Sequence, residues 1–186
     1  MQTRPLIYIH GFRSSLLSGK SRALKEIFPH ITLATYDTLH PDVGFRQLDA
    51  LIGGAFKQNP ILIGSSLGGF WAYQFGKRYA LPCVLLNPCM QPECTLRPDI
   101  GLVTNMYTDE QGIMTEEDLL KYGNCRFEGE TECVVLHEKG DELIPWQESV
   151  ANFAEKAKLV LLEGGSHAFE NLEAAISEIR LLQSAV

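Results

Sequence analysis

The chain has 186 residues, of which 45% are hydrophobic and 21% charged, a composition typical of one globular domain and not of a disordered or membrane-spanning chain. A formal net charge of −7 disfavours the binding of phosphate groups, so nucleic acid is not expected as a partner. The first residues show neither a long apolar core nor a small-residue cleavage site. We therefore expect no secretory signal, a cytoplasmic location and no association with a membrane.

Short apolar runs alternate along the chain with longer segments of helical periodicity. In chain order the pattern predicts a strand at 4–10, a helix at 20–28, a strand at 31–36, a helix at 41–56, a strand at 61–64, a helix at 66–79, strands at 83–87 and 132–138, a helix at 145–156, a strand at 159–163 and a helix at 169–183. The strands are apolar throughout, as they are in sheets buried on both faces. The expected fold class is α/β, with a mostly parallel, doubly wound sheet of about six strands and helices on both faces.

Two of the predicted helices begin with recognisable residues. Ser18 is a plausible cap of the first helix, and Pro41 lies in the first turn of the second. The first helix also carries three basic residues, which we expect to form its solvated face: Lys20, Arg22 and Lys25.

Residues 88–131 interrupt the alternation, since they contain three prolines and a single short helical pattern at 115–122. A connection this long is unusual in a compact domain, and long loops often cover active sites. We expect a single domain over 1–186 in which 88–131 forms a lid or cap. An ordinary crossover with a poorly patterned helix is the alternative.

The strongest local motif is Gly-x-Ser-x-Gly at residues 64–68, directly after a predicted strand and before a predicted helix. A serine on such a strand-to-helix turn is exposed at the edge of the sheet, and glycines two positions away on either side avoid collisions with its neighbours. Ser66 is therefore the candidate nucleophile.

A serine hydroxyl needs a general base, and His167 is the best placed of the five histidines. It lies between the last predicted strand and the last helix, at the same carboxyl edge of the sheet as Ser66. His10 ends the first strand and suits a structural or oxyanion-side role. The other three are expected to be solvated or hydrogen-bonded histidines without a catalytic role: His30, His40 and His137.

The base in turn needs a carboxylate that orients it, and Asp141 follows the fifth sheet strand on a glycine turn at that edge. The chain order Ser, Asp, His is the order used by hydrolases whose nucleophile lies on this type of turn. The adjacent Glu142 is a rival, whereas Asp109 and Asp118 belong to the segment 88–131. A helix N-cap is the alternative role for Asp141.

Backbone amides that stabilise a developing oxyanion are expected at two positions. The Phe12 N–H follows the first strand, and the Leu67 N–H follows the nucleophile at the start of a helix. Arg13 is placed either to bind an anionic part of a substrate or to be exposed to solvent.

The five cysteines have no Cys-x-x-Cys spacing, so reduced thiols are expected. Cys83 and Cys133 lie in apolar strands and are expected to be buried. Cys89 and Cys94 are close in sequence, but too few further ligands lie nearby for a metal site. Neither a metal nor an organic cofactor is expected.

The runs at 6–12, 63–70, 86–88 and 163–169 closely resemble the YqiA/YcfP-like small bacterial esterases, and the resemblance spans nearly the whole chain. It implies a compact cytoplasmic protein of the α/β-hydrolase fold with esterase or thioesterase activity. The catalytic residues of that family correspond here to Ser66, Asp141 and His167. The fit is looser over 91–131, where substrate choice is expected to be determined.

The function expected from these features is hydrolysis of a small acyl ester or thioester through an acyl-enzyme. An apolar acyl site is expected from Phe12, Phe70, Trp71, Met106 and Tyr107, with core packing as the alternative for Phe70 and favoured for Trp71. The alternatives are a peptidase, an acyltransferase and a non-catalytic member of the fold that binds a ligand or protein. The oligomeric state is left open.

Overall fold

The computed structural model describes residues 3–184 and contains eight strands within them. Their bounds are β1 (Leu6–Ile9), β2 (Thr32–Leu33), β3 (Ile61–Ser65), β4 (Cys83–Leu86), β5 (Gly101–Thr104), β6 (Gln111–Met114), β7 (Cys133–Glu138) and β8 (Lys158–Leu162). Six of them form one sheet in the order β2-β1-β3-β4-β7-β8, and every neighbouring pair is parallel. The predicted α/β fold with a parallel sheet of six strands is therefore confirmed.

Seven α-helices connect and cover the strands in this part of the chain. Their bounds are α1 (Gly19–Ile27), α2 (Pro41–Ala55), α3 (Leu67–Tyr79), α4 (Pro92–Thr95), α5 (Glu116–Lys121), α6 (Trp146–Phe153) and α7 (Leu172–Ser184). The Ser18 hydroxyl accepts a hydrogen bond from the Ser21 amide and so caps α1, as predicted. Across residues 3–184, no helix has both the length and the apolar character needed to cross a membrane.

The sheet is buried on both faces because helices cover each of them. Alternate residues of the strands join α2 and α3 in one apolar cluster, which includes Leu48, Trp71 and Phe75. The intervening strand residues join α1 and α7 in a second cluster, which includes Leu24 and Ile179. Burial on both sides explains why most positions of the central strands are apolar.

The strand order changes direction between β1 and β3. The chain passes from β1 to the edge strand β2 and then returns to the other side of β1 as β3. A crevice opens at the carboxyl ends of strands at such a reversal, and ligands bind there in open α/β sheets. The residues that follow Ile9 and Ser65 therefore lie at the expected position of a site.

Several predicted elements are shorter in the structure, and two of them have a clear physical reason. The strand predicted at 31–36 is reduced to Thr32–Leu33 because β2 is an edge strand that pairs with β1 alone. The helix predicted to start at 169 begins at Leu172. Phe169 has a positive φ of 61°, and the next two backbone amides donate hydrogen bonds to the Glu138 side chain instead of entering a helix.

The prediction that Lys20 lies on the solvated face of α1 was wrong. The Nζ atom of Lys20 points inward and donates a hydrogen bond to the Ser65 Oγ at 2.6 Å. Arg22 and Lys25 are exposed, as expected. Lys20 differs because the first turn of α1 lies beside the end of β3, within reach of a long side chain.

Residues 88–131 contain more structure than the sequence pattern indicates. Strands β5 and β6 form an antiparallel hairpin in which Val103 and Met114 are buried against the domain. Leu102 and Ile113 lie opposite each other on the two strands, and both are exposed on the outer face of the hairpin. The Met106 amide donates to the Arg13 carbonyl at 2.9 Å, so the connection of the hairpin contacts the loop after β1.

Candidate active site

Ser66 occupies a tight turn between β3 and α3, at the carboxyl edge of the sheet. Its backbone has φ 55° and ψ −121°, a conformation that non-glycine residues rarely adopt. A side chain at Gly64 would collide with the Gly68 carbonyl, and one at Gly68 would collide with the Ile9 carbonyl. The two glycines of the motif are thus required because the backbones approach each other closely here.

The structure brings the three residues singled out from the sequence into one line of hydrogen bonds. The His167 Nε2 lies 3.0 Å from the Ser66 Oγ. The His167 Nδ1 lies 3.0 Å and 2.9 Å from the two carboxylate oxygens of Asp141. With the Nδ1–H donating to Asp141, the free Nε2 lone pair faces the serine hydroxyl. This arrangement can remove the serine proton during nucleophilic attack.

Asp141 is held as a carboxylate by its surroundings. Its side chain is fully buried, and it accepts hydrogen bonds from the amides of Leu143 and Ile144 at 2.9 Å and 2.8 Å. Burial by itself raises the pKa of Asp141, but hydrogen bonds from His137, His167 and the Ile144 amide outweigh it, and the pKa lies well below its usual value. Asp141 does not cap α6, because that helix begins only at Trp146.

Glu142, the rival of Asp141, contacts the same histidine through a different atom. Its Oε2 accepts a hydrogen bond from the backbone amide of His167 at 2.9 Å, and the side chain is exposed. That bond from the His167 amide lowers the pKa of the Glu142 carboxyl. Glu142 therefore holds the loop, whereas Asp141 holds the imidazole.

The loop that carries His167 is built around Glu138, the last residue of β7. Its carboxylate accepts hydrogen bonds from the Ser166, Glu170 and Asn171 amides at 2.7–3.0 Å. Burial raises the pKa of Glu138, but these hydrogen bonds together lower it below its usual value. Glu138 was not among the site residues predicted from the sequence. Its only signal there is a carboxylate at the end of a mostly apolar strand.

Both segments expected to supply oxyanion donors approach Ser66. The loop after β1 passes close to the nucleophile, since a Cβ built on Gly11 would be 3.7 Å from the Ser66 Oγ. Leu67 is the first residue of α3, so its amide points out of the positive end of the helix. Within residues 3–184, neither the Phe12 amide nor the Leu67 amide donates to another backbone or side-chain group.

Among residues 3–184, none of the other four histidines forms a hydrogen bond with the Ser66 hydroxyl. The His10 ring is buried and its Nδ1 donates to the Gly11 carbonyl at 2.9 Å, and burial lowers the pKa of this histidine. His40 pairs with Asp37 on the surface, and His137 is bonded to Ser149 inside the domain. His30 is exposed.

Only part of the expected apolar acyl site is accessible. Phe70 and Trp71 are fully buried in the core, so the alternative of core packing holds for both. Met106 and Tyr107 are exposed on the hairpin connection, and Phe12 is partly buried against the core.

The Arg13 side chain binds groups in and next to the hairpin. Its Nε donates to the Thr104 carbonyl at 3.1 Å, and its guanidinium lies 3.5 Å from the Asp99 carboxylate. Between the loop after β1 and the hairpin is a cavity of about 740 Å³, whose walls include His10, Gln47 and Gln111.

A doubly wound parallel sheet, with a serine on a strand-to-helix turn at its carboxyl edge, defines the class of α/β-hydrolase fold proteins. Residues 5–183 match a family model described as "Uncharacterised protein family (UPF0227)", and the chain belongs to this family. The expected YqiA/YcfP-like relationship is thus confirmed.

Relatives in this family match nearly the whole chain. A UPF0227 protein of Serratia proteamaculans is 26% identical over 185 residues, which cover 96% of this chain and 98% of the relative. The UPF0227 protein YcfP of Salmonella gallinarum is 24% identical over the same share of both chains.

Solved structures show the same fold at low sequence identity. Est1E from Butyrivibrio proteoclasticus has a TM-score of 0.74 and 20% identity, and the match covers 100% of this chain and 90% of Est1E. A monoacylglycerol lipase from Paleococcus ferrophilus has a TM-score of 0.66 and 15% identity, with coverage of 97% and 94%.

Proposed function

We propose that this protein is a serine hydrolase that cleaves carboxylic ester or thioester bonds of small acyl substrates. The observation that carries the proposal is the hydrogen-bonded line from Asp141 through His167 to Ser66, with 2.9–3.0 Å between the bonded atoms. A protein that only binds a ligand does not require a base aligned on a strained serine. The solved structures with the same fold include an esterase domain from Rhodothermus marinus and the monoacylglycerol lipase, which supports the same chemistry.

The reaction proceeds in two acyl-transfer steps. The Ser66 Oγ attacks the carbonyl carbon while the His167 Nε2 takes its proton, and the Phe12 and Leu67 amides donate to the oxyanion. The tetrahedral intermediate expels the alcohol or thiol, which receives that proton from His167. Water then loses a proton to His167 and attacks the acyl-enzyme, which releases the acid and regenerates Ser66.

Residues 88–131 act in this proposal as a cap that shapes the substrate site. The hairpin contacts the loop after β1 through Met106 and Arg13, beside the proposed oxyanion donor Phe12. We also place the protein in the cytoplasm, because the structure leaves all five cysteines as free thiols, which a reducing compartment maintains.

A fluorophosphonate probe tests the proposal directly. Wild-type protein should form one covalent adduct, which peptide mapping places on Ser66 and which is absent in Ser66→Ala. Labelling should be slowed in His167→Ala and unchanged in Ser177→Ala, a substitution on the exposed face of α7. Hydrolysis of a series of acyl esters and thioesters of increasing chain length then defines the substrate.

The result that would reject the proposal is equally clear. If no adduct forms, or if the adduct lies on another serine, the protein is better described as a non-catalytic binding member of the fold.

A further inference from the structure

Lys20 places a positive charge inside the protein next to the candidate active site. The proposed mechanism does not use this residue. It donates to the Oγ of Ser65, the residue before the nucleophile, at 2.6 Å, and its Nζ lies 5.6 Å from the centre of the Phe169 ring. Phe169 follows two residues after His167. Lys20 therefore contacts both the turn that carries the nucleophile and the loop that carries the base.

The charges around Lys20 are two buried carboxylates. Glu138 and Asp141 both attract its ammonium group, and neither carboxylate is accessible to solvent. Glu138 holds the loop of His167, and Asp141 holds its imidazole. Without Lys20, these two negative charges would lie beside the general base without the ammonium group that faces both of them.

Other titratable groups also lie close to this cluster. Tyr8, on β1, interacts with Ser65, and burial raises the pKa of its hydroxyl, which keeps it neutral. His137 lies 3.5 Å from the Asp141 carboxylate and is bonded to the Ile144 carbonyl and the Ser149 hydroxyl. Burial lowers the pKa of Lys20 to about 8, against the attraction of the carboxylates, so that the amine is mainly charged at neutral pH.

We propose that Lys20 is a positioning residue of the active site, whose buried ammonium balances the Glu138 and Asp141 carboxylates and so opposes premature protonation of His167. The inference rests on the proposed function, since it concerns the base of that reaction. Charges interact strongly in an environment of low dielectric constant. Excess negative charge near His167 would favour the imidazolium before substrate binds, and a protonated imidazole cannot accept the serine proton.

The pH profile of kcat/KM distinguishes this role from a merely structural one. In Lys20→Met the acid limb of the profile should move to higher pH by about one unit, the size of shift that a nearby charge causes. Ser65→Ala is the matched control, because it removes the hydrogen bond but keeps the ammonium, and its acid limb should stay in place. An unmoved limb in Lys20→Met, or an equal shift in Ser65→Ala, would overturn the proposal.

A second measurement needs neither a folded Lys20 variant nor enzymatic turnover. In full-length Ser66→Ala protein with isotope-labelled lysine and histidine, NMR should show one lysine that titrates near pH 8. The imidazole signals of His167, assigned by their loss in a His167→Asn variant, should shift over the same pH range. Imidazole signals that do not respond to the lysine titration would contradict the inference. Failure of the proposed function would instead appear as absent ester turnover and absent fluorophosphonate labelling in the wild type.

Discussion

At the scale of single residues, the choice between Asp141 and Glu142 depends on which atom of His167 each carboxylate binds. Asp141 accepts from the imidazole Nδ1, whereas Glu142 accepts from the backbone amide of the same residue. A carboxylate on Nδ1 selects the tautomer with a free Nε2 and stabilises the imidazolium that forms during the reaction. A carboxylate on the amide can only restrain the loop.

We therefore predict very different effects for two isosteric substitutions. Asp141→Asn should lower kcat/KM by about 10³–10⁴-fold, because the amide group presents the wrong partner to Nδ1. Glu142→Gln should lower it by less than about tenfold, because the new carbonyl still accepts from the His167 amide. Steady-state kinetics on one short ester, with thermal unfolding of both variants, measures the difference. Comparable losses in the two variants would contradict the assignment of Asp141.

At the scale of elements, the segment between β8 and α7 has no regular secondary structure and depends on hydrogen bonds to side chains for its shape. Glu138 binds three of its amides. The Asn87 side chain adds a bond to the Ser166 carbonyl at 2.9 Å. Rigid side-chain anchors of this kind hold a base in place on a loop.

Two adjacent glycines in this loop provide a matched test of that anchoring. Gly164 and Gly165 have positive φ values of 69° and 76°, so alanine is strained at either position. A methyl group at Gly164 meets open space, whereas one at Gly165 collides with the Glu138 carboxylate. Gly165→Ala should therefore lower kcat about 10–100-fold more than Gly164→Ala, since displacement of the base by about 1 Å is sufficient for such a loss.

The comparison is made by measuring kcat and thermal unfolding for both variants. Equal activities at similar stability would show that contact with Glu138 does not position His167.

At the scale of the whole molecule, the domain encloses several cysteine thiols in their neutral form. Burial raises the pKa of Cys89 to about 12 and that of Cys125 to about 11. The pKa of Cys133 is also raised, first by its hydrogen bond with Cys83 and then by burial. These thiols ionise in the unfolded chain at a lower pH than in the folded protein, so the folded state binds more protons in alkaline solution.

The stability of the protein should therefore fall as the pH rises above about 9. Each buried thiol lowers the free energy of unfolding by up to roughly 1.4 kcal/mol for each pH unit. Lys20 has the opposite effect, because its pKa is lowered in the folded state. Urea unfolding between pH 7 and 10.5 with a reductant present measures the slope. Cys89→Ala should reduce it, and Cys94→Ala, at an exposed position, should not. A free energy of unfolding that does not change above pH 9 would contradict this prediction.

The sequence alone was sufficient to predict the strands of the sheet, the helices that cover it and the serine motif. Apolar runs and helical periodicity are local signals, and Gly64, Ser66 and Gly68 lie within one turn of the backbone, so short-range sterics determine their geometry. His167 and Asp141 could be selected because both follow parallel strands, whose carboxyl ends share one edge.

Long-range contacts and the burial of charged side chains were determined only by the tertiary structure, because no local sequence pattern encodes them. Ser66 and His167 are 101 positions apart in the chain, and their 3.0 Å contact depends on the packing of the whole sheet. The strands of the β5–β6 hairpin are only four residues long, too short for a clear period. Glu138 and Lys20 resemble solvated surface charges in the sequence, because a charged residue has no periodic signature. Their burial beside His167 arises only when β3, β7 and α1 pack together around the loop after β8.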